Sequence, residues 1–438
     1  MKVHLVSLGC ARNLVDSEGM LGRLESAGWQ VVDEPDAAEL IVVNTCSFIE
    51  PAADESIDTI LELSEYKKAG TCRSLIVAGC LPERYGEAIA EELPEVDRFL
   101  GTGAYDRIVD AAEGLLKDSR CILPDPDGLP ASAQNVTRVR STAHTAYLKV
   151  AEGCSRHCTY CIIPKLRGKR KSRPPEDILA EARALIDEGV RELVLVAQDT
   201  TDYGRDLSPE IGLADLLADL ADLSPNVWVR LLYGHPESLN EATILTISER
   251  PNLCSYYDLP IQHASDPVLQ RMGRRHPQAH LRKLFQAIRF MDPAAVLRTT
   301  VIVGFPGETE KDFQELMRFI EHIRFDHLGV FTYSDAEDLP SHRLPDPVSA
   351  KTADKRRNTL MERQREIAES INQQYLDRVL PVLVEESPEP NIFTGRTAFQ
   401  APEVDGIVYL HGEARIGEFV QVRITDTLEY DLLGDIVP

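Results

Sequence analysis

Three cysteines stand within eight residues of one another in the segment GCSRHCTYCIIP. Cys154, Cys158 and Cys161 have the spacing C-x3-C-x2-C and follow a stretch that is predicted to be a strand. Three thiolates in one loop can hold three irons of a cubane iron–sulfur cluster and leave the fourth iron open to a substrate. A zinc site is the competing interpretation, with His157 as the fourth ligand that structural zinc requires. A ferredoxin-type cluster would need a fourth cysteine nearby, which this segment lacks.

A second set of cysteines occurs once after each of three short apolar runs near the N-terminus. Cys10, Cys46 and Cys80 close the segments LVSLGC, IVVNTC and LIVAGC. Loops that follow parallel strands meet at one edge of the sheet, where ligands bind, so these cysteines are expected to converge. The pattern predicts a second cluster with an open iron. The alternative is three structural cysteines, since unpaired cysteine is commonly buried.

Composition limits the classes of function. The 438 residues carry a formal charge of −24, and such an acidic surface makes whole-face nucleic-acid binding unfavourable. Apolar runs stay below the 18 residues of a membrane span, and the N-terminus lacks the apolar core of a secretory signal. We therefore expect a cytoplasmic protein that does not enter a membrane. Nine cysteines in that reducing compartment favour metal ligation over disulfides.

The chain is predicted to divide into an N-terminal domain, a linker, a barrel and a small terminal domain. Residues 1–120 alternate apolar runs with helical segments, which predicts an α/β doubly wound parallel sheet. Residues 121–140 contain three prolines and are predicted to be the linker. Residues 141–375 show six strand patterns separated by helical segments, which predicts an open β/α barrel with a trailing helix. Residues 376–438 show five short strand patterns, which predicts an OB-like β-barrel.

The cysteine loop after the first strand of a predicted β/α barrel resembles that of the radical S-adenosylmethionine (SAM) superfamily. With the N-terminal cysteine domain and a terminal barrel of the TRAM type, the whole chain resembles the methylthiotransferases of that superfamily. The segments SLGCARNLVDSE, AQDTTDYG and APEVDGIVYL are similar to those of the branch that acts on a ribosomal protein. The tRNA-modifying branch is expected to differ after the first cysteine. Arg12 stands where many relatives are expected to carry lysine, which keeps the charge.

The resemblance implies a radical SAM enzyme that methylthiolates the β-carbon of an aspartate in protein twelve of the small ribosomal subunit. It implies SAM, an external electron donor and two 4Fe-4S clusters, one on each cysteine set. Tyr160 fits the cysteine loop of the family, and Gln198, at the end of the second barrel strand, is expected to meet the methionine end of SAM. Gly304 and Gly307 lie in a glycine-rich segment similar to the family's adenine-contact motif, for which a plain turn is the alternative. No acid, base or nucleophile among the side chains is assigned to the reaction.

The charge of the terminal domain bears on the choice of substrate. Residues 376–438 include twelve acidic and four basic residues. Phosphate contacts come from Lys and Arg, so this domain is predicted to disfavour tRNA and to suit a basic ribosomal protein. An acidic surface that only keeps the protein in solution would have the same composition. The nearest alternative is a tRNA adenosine methylthiotransferase. The other alternative is a non-catalytic iron–sulfur carrier, in which each cysteine set would be expected to have a fourth cysteine.

One basic segment runs against this trend. KLRGKRKSR, at 165–173, places six basic residues in nine positions directly after the cysteine loop. We consider two interpretations, a clamp for an acidic target residue or ribosomal RNA, and a solvated turn that leads into the next helix. Arg167–Gly168 and Ser172–Arg173–Pro174 resemble the methylthiotransferase pattern, which implies a structural role for some of these positions.

Overall fold

The structure is a computed structural model that describes residues 1–116, 119–128, 137–209 and 211–437. Residues 129–136 of the predicted linker lie outside the described residues. In the described part of the chain, no helix is long and apolar enough to cross a membrane.

The N-terminal region is a parallel sheet with helices on both faces. Its strands are β1 Lys2–Ser7, β2 Gln30–Val31, β3 Leu40–Thr45, β4 Ser74–Gly79, β5 Arg98–Leu100 and β6 Cys121–Ile122. Its helices are α1 Ala11–Ser26, α2 Glu50–Lys68, α3 Cys80–Tyr85, α4 Glu87–Glu92 and α5 Ile108–Ala112. The strand order is β2-β1-β3-β4-β5-β6, and alternate side chains of β3 pack against α2 on one face and α1 on the other. The predicted doubly wound sheet is confirmed.

The central region is a barrel of six parallel strands and a small hairpin. The strands are β7 Thr145–Lys149, β8 Ala151–Glu152, β9 Lys171–Ser172, β10 Glu192–Val196, β11 Trp228–Leu231, β12 Tyr256–Asp258, β13 Val296–Val303 and β14 His327–Thr332. The helices are α6 Ile163–Arg167, α7 Pro175–Asp187, α8 Leu213–Leu223, α9 Glu241–Glu249, α10 Asp266–Arg271, α11 Gln278–Met291 and α12 Glu310–Ile323. The parallel order is β11-β10-β7 in one half and β12-β13-β14 in the other, with β8 and β9 as the hairpin. Among the described residues β7 and β14 are not paired, so the barrel is open as predicted.

The C-terminal region consists of one long helix and a closed barrel. Helix α13, Ala350–Asn372, begins where the Ser349 hydroxyl accepts a hydrogen bond from the Thr352 N–H, and it buries Leu360 and Ile367 in the core of the central barrel. The last strands are β15 Val379–Glu389, β16 Ile392–Thr397, β17 Val408–His411, β18 Phe419–Thr427 and β19 Leu432–Val437. They close in the order β15-β16-β17-β19-β18, which confirms the predicted small β-barrel.

The interior of the central barrel is covered at both ends. One apolar cluster extends from Ala11 and Val15 of α1, through the inward side chains of the barrel strands, to Leu383 and Ala401 of the terminal barrel. The N-terminal sheet therefore lies over the end where the barrel strands finish, and the terminal barrel lies at the end where they start. Both cysteine sets follow strand ends, so this arrangement brings them to the first of these two interfaces.

Candidate active site

The structure brings the three N-terminal cysteines together at the C-terminal edge of the parallel sheet. Two polar side chains tie their loops to one another. The Asn13 amide donates to the carbonyls of Leu8 and Thr45 at 3.0 and 2.9 Å, which joins the loops that hold Cys10 and Cys46. The Thr45 hydroxyl then donates to the Ala78 carbonyl at 2.6 Å and accepts from the Leu81 N–H at 3.2 Å, which fixes the turn at Cys80. Side chains within the motifs thus set the spacing of the three loops.

The electrostatic environment differs among these three thiols. Burial raises the pKa of Cys10, but the Arg12 guanidinium, with the Asn13 backbone and Arg167, lowers that pKa overall to about 7. Burial raises the pKa of Cys46 to about 11, and it also raises the pKa of Cys80. Cys10 is therefore the thiol in this set that ionises most readily, as metal ligation requires.

The barrel cysteines stand in a loop that is fixed at both ends by main-chain hydrogen bonds. The Cys154 N–H donates to the Gly168 carbonyl at 3.0 Å, and the Thr159 N–H donates to the Met272 carbonyl at 3.1 Å. The thiols of Cys154, Cys158 and Cys161 are free and half-buried, and burial raises the pKa of Cys161 to about 12. The loop thus presents three sulfurs without using them in a disulfide.

The two cysteine sets face each other across the domain interface. Cys80 packs against Ile162 and Leu166, which follow the last cysteine of the barrel loop. Arg12 spans the same interface, because its Nη1 donates to the Ala197 carbonyl at 2.9 Å, just beyond the end of β10. The charge of Arg12 favours the thiolate at Cys10, Cys46 and Cys161 alike, so one cation is within electrostatic reach of both sets.

The basic segment at 165–173 is part of this interface, where its three arginines are paired internally while Lys169 has a side chain that is 81% exposed. Arg167 is 3% exposed; its guanidinium donates to Asp16 at 2.7 Å and Asn13 at 2.5 Å and lies 3.8 Å from the Cys80 sulfur. Further along, Arg170 pairs with Asp202 and Asp206, and Arg173 pairs with Glu181. These cations are held by internal carboxylates, so they form structural ion pairs instead of a free clamp or a solvated turn.

Both cysteine sets have the chemistry of a cluster site. Within the described residues, no three His, Cys, Asp or Glu side chains are close enough to hold a single metal ion, and His157 is exposed. A cubane cluster places its three thiolates on three different irons, so its ligands stand farther apart than those of one zinc ion. Three free thiols on each side, with guanidinium groups beside them, fit an anionic group of that size.

Comparison with known proteins identifies the family. Three family profiles match the chain: Uncharacterized protein family UPF0004 at residues 2–101, the Radical SAM superfamily at 148–320 and the TRAM domain at 378–437. Ribosomal protein uS12 methylthiotransferase RimO of Desulfosudis oleivorans is 55% identical, over 99% of this chain and 100% of its own. The RimO proteins of Clostridioides difficile and Geobacter sulfurreducens are 46% and 48% identical, over 100% of this chain and 99% and 98% of their own. The chain belongs to the RimO family of methylthiotransferases.

Membership in this family confirms the predicted enzyme class, a radical SAM methylthiotransferase with SAM and a 4Fe-4S cluster. Two solved structures share the fold. The radical SAM methyltransferase TsrM from Kitasatospora setae has a TM-score of 0.55 at 11% identity, covering 89% of this chain and 79% of its own. The cobalamin-dependent SAM radical enzyme OxsB has a TM-score of 0.53 at 13% identity, covering 84% of this chain and 57% of its own. At these identities the likeness concerns the fold alone.

The four predicted SAM contacts lie near the barrel loop, with different surroundings. Tyr160 is half-buried and meets Phe305 edge to face, with ring centroids 6.4 Å apart. The Gln198 amide N–H donates to Glu152 at 2.5 Å, while the Gln198 Oε1 is buried without a hydrogen-bond partner. That unpaired acceptor is what a ligand-binding residue would show before its ligand arrives. SAM contacts at Tyr160 and Gln198 remain predictions.

The two predicted glycine contacts each have a packing reason. A Cβ at Gly304 would stand 2.5 Å from the Ala353 Cβ on α13. A Cβ at Gly307 would overlap the Arg271 guanidinium, 1.9 Å from its Nη1. Both glycines have positive φ, so this turn requires glycine whether or not a ligand is present. Their role as SAM contacts remains a prediction.

Sequence reasoning did not find the cavity beside the barrel loop. A cavity of about 800 Å³ opens next to Cys158. Its lining in the described part of the chain excludes the four predicted SAM contacts but includes Arg156, His157, His235, Arg274 and His276. The sequence spacing in these loops does not indicate a common cavity, because the lining residues come from three loops that only the fold brings together.

Gly9 provides a direct test of how the N-terminal set is built. A Cβ at this position, where φ is +92°, would stand 2.7 Å from the Cys46 Cβ. Gly9→Ala is therefore expected to displace Cys46 and, if each set holds a cluster as predicted, to lower the iron content of anaerobically reconstituted protein by about half. Gly19→Ala in α1 is the matched control, because nothing lies within 4 Å of its added Cβ. Full iron content in Gly9→Ala would show that Cys46 does not ligate iron.

Proposed function

We propose that this enzyme methylthiolates the β-carbon of an aspartate in ribosomal protein uS12 and uses two 4Fe-4S clusters. The full-length relatives, which are uS12 methylthiotransferases, support this substrate. The observation that carries the two-cluster proposal is the meeting of two three-cysteine sets at one interface, with Arg12 between them. A substrate carbon held at that interface would lie within reach of both.

Each set of side chains has a distinct part in this proposal. The barrel loop would hold the cluster that binds SAM, and the N-terminal set would hold the cluster that carries sulfur. When bound, these groups supply one-electron chemistry and a sulfur carrier, which side chains cannot provide. The chain itself orients the loops through Asn13 and Thr45, excludes water through the contact of Cys80 with Ile162, and stabilises thiolates through two guanidinium groups.

Surface charge supports a protein substrate over tRNA. In the terminal barrel, nine acidic residues are exposed against three basic ones. The fourth base, Arg396, is buried and pairs with Glu192 and Glu385. A domain with so few free cations is poorly suited to phosphate contacts and well suited to a basic ribosomal protein. We also propose an external electron donor and a cytoplasmic location.

The test is an anaerobic assay in which uS12 and tRNA are offered in parallel. Reconstituted enzyme receives SAM, sulfide and a reductant, and both products are analysed by mass spectrometry. We expect uS12 to gain about 46 Da at one aspartate, because SCH3 replaces one hydrogen. Modification of tRNA alone would overturn the proposal. Formation of 5′-deoxyadenosine with neither substrate modified would retain the radical SAM class and reject uS12.

A further inference from the structure

Arg12 is a cation at the centre of the interface that lacks an acidic partner. Its Nη1 donates to the Ala197 carbonyl, and its guanidinium also hydrogen-bonds the Cys10 thiol. Within the described part of the chain it forms no ion pair with Asp or Glu. Arg167 is the useful comparison, because it also lies beside the N-terminal set but is neutralised by Asp16 at 2.7 Å. A half-buried guanidinium with unused donors calls for an anion from outside the chain.

The Arg12 guanidinium lies over the side-chain ring of Tyr233, a residue whose backbone conformation is strained. Its central carbon lies 4.6 Å from the centroid of Tyr233, which follows β11. Tyr233 has φ of +60°, a region that bulky residues rarely adopt and that is found most often at functional sites. Two hydrogen bonds hold it there, from the Tyr233 N–H to Asp258 at 2.8 Å and from the Thr200 N–H to the Tyr233 carbonyl at 3.1 Å. The ring thus holds the guanidinium in place by a cation–π contact.

We propose that Arg12, stacked on Tyr233, binds the carboxylate of the substrate aspartate and thereby places its β-carbon between the two cysteine sets. The inference rests on the proposed function. In aspartate the β-carbon is bonded directly to the carboxyl carbon, so a planar fork that grips both oxygens fixes the reacting carbon within one bond length. The same contact explains specificity, because asparagine offers one acceptor and no charge. A tRNA base has no carboxylate to place there.

A simpler role for Arg12 would be to offset the negative charge of the thiolates. That role and the proposed one predict different results when the substrate side chain is changed. A residue that serves only the thiolates affects Asp and Asn substrates equally. A residue that binds the carboxylate distinguishes them and loses that distinction when it is replaced.

The experiment compares binding of uS12 and of uS12 with its target Asp replaced by Asn. Affinities are measured for the reconstituted wild-type enzyme, Arg12→Met, Arg12→Lys and the control Arg73→Met, whose side chain is 79% exposed. We expect the wild type to prefer the Asp protein by about tenfold or more, the range for a charge-assisted hydrogen bond. Arg12→Met is expected to bind both forms equally, and Arg12→Lys to keep part of the preference because it keeps the charge. Arg73→Met is expected to match the wild type.

Two further readouts separate the possible failures. Iron content and 5′-deoxyadenosine formation without uS12 are measured for every variant, and affinities are compared between preparations of equal iron content, because Arg12 also contacts the Cys10 thiol. If Arg12→Met retains the preference for Asp but loses iron or 5′-deoxyadenosine, Arg12 serves the clusters and the inference is wrong. If the wild type neither binds nor modifies uS12, the proposed function is wrong, and this inference, which rests on it, is wrong as well.

Discussion

Cys158→Ala is expected to abolish both 5′-deoxyadenosine formation and methylthiolation, whereas Cys10→Ala is expected to abolish methylthiolation alone. The two cysteines belong to different sets on opposite sides of the interface, and each set has only three thiols. The remaining cysteines, Cys72, Cys121 and Cys254, are buried away from both loops and cannot replace a lost ligand. Because the clusters carry the chemistry, each loss is expected to exceed about a thousandfold in rate.

Iron analysis and product analysis of the same preparations make this test specific. Each alanine variant is expected to keep about half of the wild-type iron, one cluster of two. Cys72→Ala is the matched control, since Cys72 is 3% exposed in the N-terminal core. This variant should retain full iron content and full activity. Methylthiolation by Cys10→Ala would show that the N-terminal set is not required. Formation of 5′-deoxyadenosine by Cys158→Ala would show that the barrel loop does not hold the SAM-binding cluster.

The cysteine sets were predictable because their positions follow from local pattern. A cysteine after each of three buried strands, and three in one loop after another strand, need only the rule that parallel strands end at one edge. Residues whose role depends on another domain gave no such signal. Arg167 meets Asp16 from 151 positions away, and Arg12 meets Ala197 from 185. Composition alone therefore did not predict the ion pairs of the basic segment, because it does not show which carboxylates the arginines reach.

The same limit applies to the short strands and to domain packing. β2, β5 and β6 are only two or three residues long, and they form by pairing at the sheet edges: β2 pairs with β1, β5 with β4, and β6 with β5. The terminal barrel was predictable as a unit from its strand spacing. Its position was not, because the contact is made by buried ion pairs and by apolar residues that look like ordinary core.

Glu192 is the clearest case of such a contact, and Glu192→Gln is expected to destabilise the protein by about 3–5 kcal/mol. Its carboxylate is fully buried and accepts from Arg230 of β11 at 2.7 Å and Arg396 of β16 at 2.5 Å. The neutral amide would leave the buried Arg230 without its carboxylate partner and Arg396 with Glu385 alone. Chemical unfolding at pH 7 measures the loss. Glu188→Gln is the control, because the Glu188 side chain is 54% exposed in its pair with Arg140. This substitution should lower the free energy of unfolding by less than about 1 kcal/mol.

The difference between wild type and Glu192→Gln should also depend on pH. Burial alone would raise the pKa of Glu192, but Arg396 and Arg230 lower it overall to about 2. A carboxylate whose pKa falls on folding contributes its full stabilisation above its unfolded pKa of about 4.3, and this contribution disappears as the pH falls toward 2. The two proteins should therefore converge in stability between pH 5 and pH 2, approximately the span of those two pKa values. A difference that stays constant over this range would mean that Glu192 stabilises the interface by packing alone.

Because Glu192 begins β10 and the cysteine sets lie beyond its other end, folded Glu192→Gln should retain its full iron content.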